Sequence, residues 1–170
     1  MIHVCSLARL PEMVVRTRAR HVVSLLAQED DLARPASIAP ENHLWLQLHD
    51  ISEPQDGFVM PQPNHVEELI GFVRRWPREA PLVIHCYAGV SRSTAAAFVA
   101  VCALNAAGDE RNIAKALRNA SPTASPNIRI VAIADQLLGR QGRMVKAVKA
   151  IGSGIVLSEA QPFRLELSGH

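Results

Sequence analysis

The nine residues His85-Cys86-Tyr87-Ala88-Gly89-Val90-Ser91-Arg92-Ser93 put a nucleophile and a guanidinium into one short loop, with five residues between Cys86 and Arg92. The apolar run Pro81-Leu82-Val83-Ile84 before them predicts a buried strand. The alanine-rich stretch from Thr94 to Ala107 after them predicts a helix. Cys86 then falls at a strand-to-helix turn, where backbone N–H groups converge on one spot. Such a spot binds a tetrahedral oxyanion.

The chemistry available there is nucleophilic. A thiolate attacks, not a thiol, and a helix N-terminus together with Arg92 would stabilise negative charge on the Cys86 sulfur. Arg92 offers a planar fork of donors suited to two phosphate oxygens. Gly89 lets the chain turn with positive φ and brings amides close to the anion. Apart from Tyr87, the side chains between are small or neutral, so Tyr87, Ala88, Gly89, Val90, Ser91 and Arg92 read as the substrate-binding cradle. Ser93 can donate to the sulfur when the sulfur leaves, and His85 reads as a supporting residue that orients the loop. A departing alkoxide or phenoxide needs a proton, which a carboxylate can give and later take back. Asp50 is the first choice, with Glu53 and Asp56 as rivals on the same segment.

Positioning these residues requires a sheet with helices around it. Ile2 to Leu7, His21 to Leu26 and Leu44 to Leu48 read as strands, and Pro11 to Arg18 as a short helix. Gln28 to Glu41 is a polar loop containing Pro35 and Pro40. Pro54, Gly57, Pro61 and Pro63 punctuate a second loop. Asn64, with Glu67 three residues on, predicts the cap of a helix carrying Val66, Leu69, Ile70 and Val73 at apolar spacing, with Pro77 just beyond its end. Ala95 to Ala107 is apolar on all sides, which predicts a central helix ended by Gly108. Asp109 caps the next helix. Ser125-Pro126-Asn127 opens another, with proline at its first position. Arg143 to Ile151 is basic and amphipathic, read as a solvated helix face. Phe163, Leu165 and Leu167 alternate as an edge strand would. Strands alternating with helices predict an α/β fold: a mostly parallel central sheet of about four or five strands flanked by helices. One domain is expected over 1–151, followed by a C-terminal tail over 152–170.

The bulk properties narrow the function. The chain has 170 residues, 48% hydrophobic and 20% charged, enough for a packed core. A net charge of +2 favours anionic substrates, and no basic run with interleaved aromatics predicts nucleic-acid binding. The start lacks a signal-peptide pattern, and the most apolar segment is too short to span a bilayer. Three cysteines without regular spacing make no disulfide framework, so a reducing cytoplasmic location is expected. Cys5 and Cys102 read as core residues, Trp45 and Trp76 as packing residues, and Arg74-Arg75 as a solvated helix end. His3, His21, His43, His49 and His65 show no metal-ligand spacing. No metal or cofactor is expected.

The stretch from His85-Cys86 to Arg92-Ser93 resembles the signature of the cysteine-based protein tyrosine phosphatase superfamily, closest to its small dual-specificity-like branch with bacterial members. Leu44-Trp45-Leu46-Gln47-Leu48-His49-Asp50 resembles the strand and loop that carry that family's general acid. Ala124-Ser125-Pro126-Asn127 resembles the proline-asparagine turn that opens a late helix, where it has a structural role. The resemblance spans about 44–138. It implies a phosphotyrosine-phosphatase-like fold and a metal-free reaction: Cys86 forms a phosphocysteine, Arg92 binds phosphate, Asp50 serves as acid and then base, and Ser93 assists hydrolysis. The implied substrate is a phosphorylated protein or peptide, and phosphate, sulfate or vanadate should sit in the loop. The chain lacks the segments that deepen the pocket of the large tyrosine-specific members. Two other readings stand beside this one: a silent phosphate-binding module, and a phosphatase for a non-protein ester such as a phosphoinositide. The absence of lysine inside the loop weighs against the latter.

Overall fold

The computed structural model describes residues 1–27 and 33–167. The first five residues of the expected 28–41 loop, and the last three of the chain, lie outside the described residues. The elements run β1 (Ile2–Ser6), α1 (Leu10–Thr17), β2 (His21–Leu26), β3 (His43–Gln47), α2 (Pro63–Arg75), β4 (Leu82–Cys86), α3 (Arg92–Leu104), α4 (Glu110–Ala120), α5 (Ile128–Leu137), α6 (Arg143–Ile151) and β5 (Phe163–Leu165), with a short 3-10 turn at Pro40–Asn42.

The sheet order is β3-β2-β4-β1-β5. The first four strands are parallel, and β5 adds to β1 antiparallel, pairing Ile2 with Leu165 and Val4 with Phe163. This is the expected α/β architecture. Strand β4 is buried along its whole length because parallel neighbours and helices cover it on every side. Alternation along the strands divides the core. Cys5, Val22 and Val83 face α1, where Leu10, Met13 and Val14 meet them. Val4, Val23, Ile84 and Cys86 face the larger layer built by the other helices. Helix α3 lies at its centre, buried from Ser93 to Cys102. It packs on β4, α2, α4 and α5.

Three helix boundaries differ from the sequence reading. Helix α2 is capped by Gln62, whose side chain exchanges hydrogen bonds with His65, and not by Asn64. Pro63 is the reason: it lacks an N–H, so it fits the first helical position and draws the cap one residue upstream of itself. Helix α5 begins after Pro126, because Asn127 is the cap and its Oδ1 accepts from the N–H groups of Arg129 and Ile130. Helix α3 ends at Leu104, ahead of Gly108, because Arg140 donates to the carbonyls of Cys102 and Asn105.

Residues 152–160 run along the outside of the β4–α3 loop. Gly154 N–H donates to Ser125 Oγ, Ile155 N–H to the Pro122 carbonyl, and Ala160 N–H to the Ala88 carbonyl.

Candidate active site

The loop between β4 and α3 is held from outside by its carbonyls. The Tyr87 carbonyl accepts from Leu7 N–H at 3.1 Å and the Ala88 carbonyl from Ala160 N–H at 2.9 Å. The Val90 carbonyl accepts from Ser125 N–H at 3.0 Å, and the Ser91 carbonyl from Ala95 and Asn127 N–H. Thr94 Oγ1 donates to the Val90 and Ser91 carbonyls. With the carbonyls turned outward, the amides turn inward. Among the described residues, the N–H groups of 88–91 have no protein acceptor. An array of that kind is an anion-binding nest.

Gly89 makes the turn possible. Its φ is +75°, and a Cβ there would lie 2.9 Å from the Cys5 carbonyl carbon and 3.0 Å from Ser6 N. Gly89→Ala should therefore cost about 1–2 kcal/mol from the left-handed backbone alone, and it must also push the loop off β1. Urea denaturation should show the lost stability, and anion affinity should fall with it. Full stability with unchanged affinity would contradict this reading of the loop.

Cys86 lies at the base of the bowl, 2% exposed. Its Sγ is 3.0 Å from the Oγ of Ser93, the second residue of α3. Arg92 is half-buried; its Nη1 donates to the Leu48 carbonyl at 3.0 Å. Its Nε is buried without a protein partner. A buried cationic donor with nothing to bind is costly unless an acceptor arrives, and an oxyanion over the sulfur would supply one.

Asp50 is brought to the rim from the end of β3. Its Oδ1 accepts from Ser91 Oγ at 2.7 Å and from Asn127 Nδ2 at 2.9 Å. Asn127 also donates to the Ile51 carbonyl. Its amide cannot be flipped, because its Oδ1 is committed to the α5 N-terminus. The segment after Asp50 is folded back. His49 and Val59 bond each other twice, His49 packs edge-on to Phe58, and Arg129 Nε donates to the Pro61 carbonyl. Glu53 and Asp56 are exposed, and among the described residues neither hydrogen-bonds to the loop.

Behind the loop, His85 is fully buried. Its Nε2 is 2.7 Å from Ser24 Oγ, which is 2.8 Å from His43 Nε2. Burial pushes the His85 imidazole down to about 4, and the Cys86 backbone beside the ring opposes this only in part. Above about pH 6.5 His85 is neutral folded or unfolded. As pH falls toward 4 the unfolded chain takes a proton that the folded one refuses, so stability is lost. The loss from this one group approaches about 3 kcal/mol. Denaturation at pH 7 and pH 4.5 should show it, with a shallower dependence in His85→Gln. An equal slope in that variant would remove His85 as the cause.

A family model for protein-tyrosine phosphatases matches residues 13–124. The chain belongs to the protein-tyrosine phosphatase family. The match takes in Asp50 and the whole 85–93 loop, and it stops short of Asn127 and the C-terminal strand. The family's fold is evident in solved structures as well. The crystal structure of DUSP15 is 17% identical, covering 88% of this chain and 89% of that one, with a TM-score of 0.63. The Cydia pomonella PTP-2 phosphatase is 20% identical, covering 79% and 84%, with a TM-score of 0.61. Human DUSP28 is 17% identical, covering 82% and 89%, also at 0.61. At these identities the likeness is one of fold. No curated protein matches the chain.

In this family member, Cys86, Arg92, Ser93, Asp50 and the 88–91 segment of the cradle come together at one bowl, with His85 beneath it. Tyr87 stands apart from its neighbours: it is 64% exposed and lines an outer cavity with Leu7, Ala8, Ser158 and Glu159. Two contacts of the site have no local signal in the sequence. Ser24 bridges the histidines from β2, and Asn127 reaches Asp50 across 77 positions. The proline-asparagine turn was the available signal for Asn127, and it announced a helix start without its second partner.

Proposed function

We propose that the protein is a cysteine-dependent phosphatase of the protein-tyrosine or dual-specificity type, hydrolysing phosphomonoesters of protein or peptide substrates through a phosphocysteine. The observation that supports this most is the combination of an inward amide nest, a buried Arg92 Nε without a partner, and Cys86 Sγ at the base beside Ser93 Oγ.

The Cys86 sulfur attacks phosphorus, and the bond from phosphorus to the leaving oxygen breaks. The amides and Arg92 hold the three equatorial oxygens as charge spreads over them. Asp50 gives its proton to the leaving oxygen. Water then attacks the phosphocysteine, Asp50 takes a proton from that water, and phosphate departs. Ser93 donates to the sulfur as it is released.

Asn127 is a positioning residue in this scheme. Its amide and the Ser91 hydroxyl both occupy Oδ1 of Asp50, which leaves Oδ2 to carry the transferred proton. Asn127→Asp keeps the helix cap but removes the donor and places a like charge beside Asp50. It should slow phenyl phosphate, whose leaving group needs protonation, by about 10²-fold. A fluorinated aryl phosphate, whose leaving group does not, should be slowed far less. Asp50→Asn should show the same split. Equal losses on both substrates would mean that Asn127 serves the fold alone.

The direct test is turnover of a chromogenic aryl phosphate from mildly acidic to neutral pH, inhibited by vanadate. Absence of turnover, with phosphate still bound, would favour a silent phosphate-binding module.

A further inference from the structure

The opposite end of the sheet carries a second feature that the phosphatase reading leaves unused. The turns leading into β2, β3 and β4 enclose a cavity of about 800 Å³. Its charged and polar lining includes Arg18, Arg20, His21, Asn42, Arg75 and Glu79. Cys86 ends β4 and Pro81 precedes it, so the two sites are separated by the length of that strand, about 16 Å.

Three arginines against one glutamate is a strong local excess for a chain whose net charge is only +2. Among the described residues, no hydrogen bond or ion pair engages the side chain of Arg18, Arg20 or Arg75. Other arginines are paired: Arg140 and Arg143 share Glu110, and Arg9 and Arg16 share Glu12. His21 adds a ring nitrogen, Nδ1, that is buried without a partner. Its ring is held in place edge-on to Phe72. Arg18 closes α1 with φ +55°, and Arg78, in the turn before β4, has φ +64°. Glycine or asparagine is the ordinary occupant of such positions, and any other residue there costs stability.

We infer that this cavity is a second anion site, built for a small soluble molecule bearing two or more phosphoryl groups. Guanidinium forks arrayed around a concavity match phosphoryl oxygens in pairs. The volume suits a small molecule, not a protein face. One phosphoryl group would leave the opposing arginines unpaired; two or more would engage them together. Glu79 at the rim accepts from any hydroxyl or amino group the ligand carries.

The test is a titration of the isotopically labelled full chain with inorganic pyrophosphate, followed by amide NMR. Shifts are expected at 17–21 and 75–81 as one saturating set, separate from shifts at 87–92. In the Arg20→Ser/Arg75→Ser variant the first set should weaken by about tenfold or more, as expected for lost charge-assisted contacts, while the second is kept. All the replaced residues are exposed, and the amide spectrum itself reports folding. Three outcomes would overturn the inference: no shifts at 17–21 and 75–81, shifts that survive in the variant, or equal shifts with sulfate at matched ionic strength. Shifts at this cavity without any at 87–92 would count against the phosphatase reading and leave this one standing.

Discussion

Cys86→Ser should lower turnover of an aryl phosphate by about 10⁴-fold or more, as loss of a nucleophile does, while binding of inorganic phosphate is kept or strengthened. The hydroxyl is a poor nucleophile at neutral pH, but it preserves the shape at the base of the bowl. The outward-held carbonyls of 87, 88, 90 and 91 do not depend on the sulfur, so the amide nest stays formed. Steady-state assay and calorimetric titration with phosphate measure the two halves. Turnover that survives the substitution contradicts a covalent mechanism at Cys86. Loss of phosphate binding along with turnover would mean that the thiol shapes the loop.

Arg92→Lys should produce a different pattern, with turnover reduced by about 10³-fold and phosphate affinity lost with it. Lysine keeps the charge but cannot present two coplanar donors. It also cannot reproduce the spread of the arginine's donors, with Nη1 on the Leu48 carbonyl and a separate Nε buried without a protein partner. The Leu48 carbonyl lies two residues ahead of Asp50, so the arginine also links the anion to the segment that carries the acid. A lysine variant that binds phosphate normally would show that the amides alone hold the anion.

What the sequence disclosed follows from how local each determinant is. The nucleophile loop was legible because Cys86, Gly89, Arg92 and Ser93 lie within eight residues, and their strand and helix flanks are strongly apolar. The strands and the central helix were legible for the same reason: burial on all sides leaves continuous apolar runs in β4 and α3. The helix caps were less so. Asn64 and Ser125 both carry cap-like chemistry, yet Gln62 and Asn127 do the capping, with a proline between the expected and the actual cap in each case. The support around Asp50 was hidden for a different reason. Its partners come from 41 and 77 positions away, and no local pattern encodes such a meeting. The distal arginines are similarly divided between two turns, with Arg75 reading locally as nothing more than a solvated helix end.

The proposed mechanism requires a phosphoryl group to pass through sulfur. Rapid acid quench during turnover of an aryl phosphate, followed by peptide mass spectrometry, tests this most directly. A phosphate adduct is expected on the peptide containing Cys86, absent in Cys86→Ser and accumulating in Asp50→Asn when the leaving group is good. Steady turnover with no adduct on that peptide, or with the adduct on another residue, would contradict it.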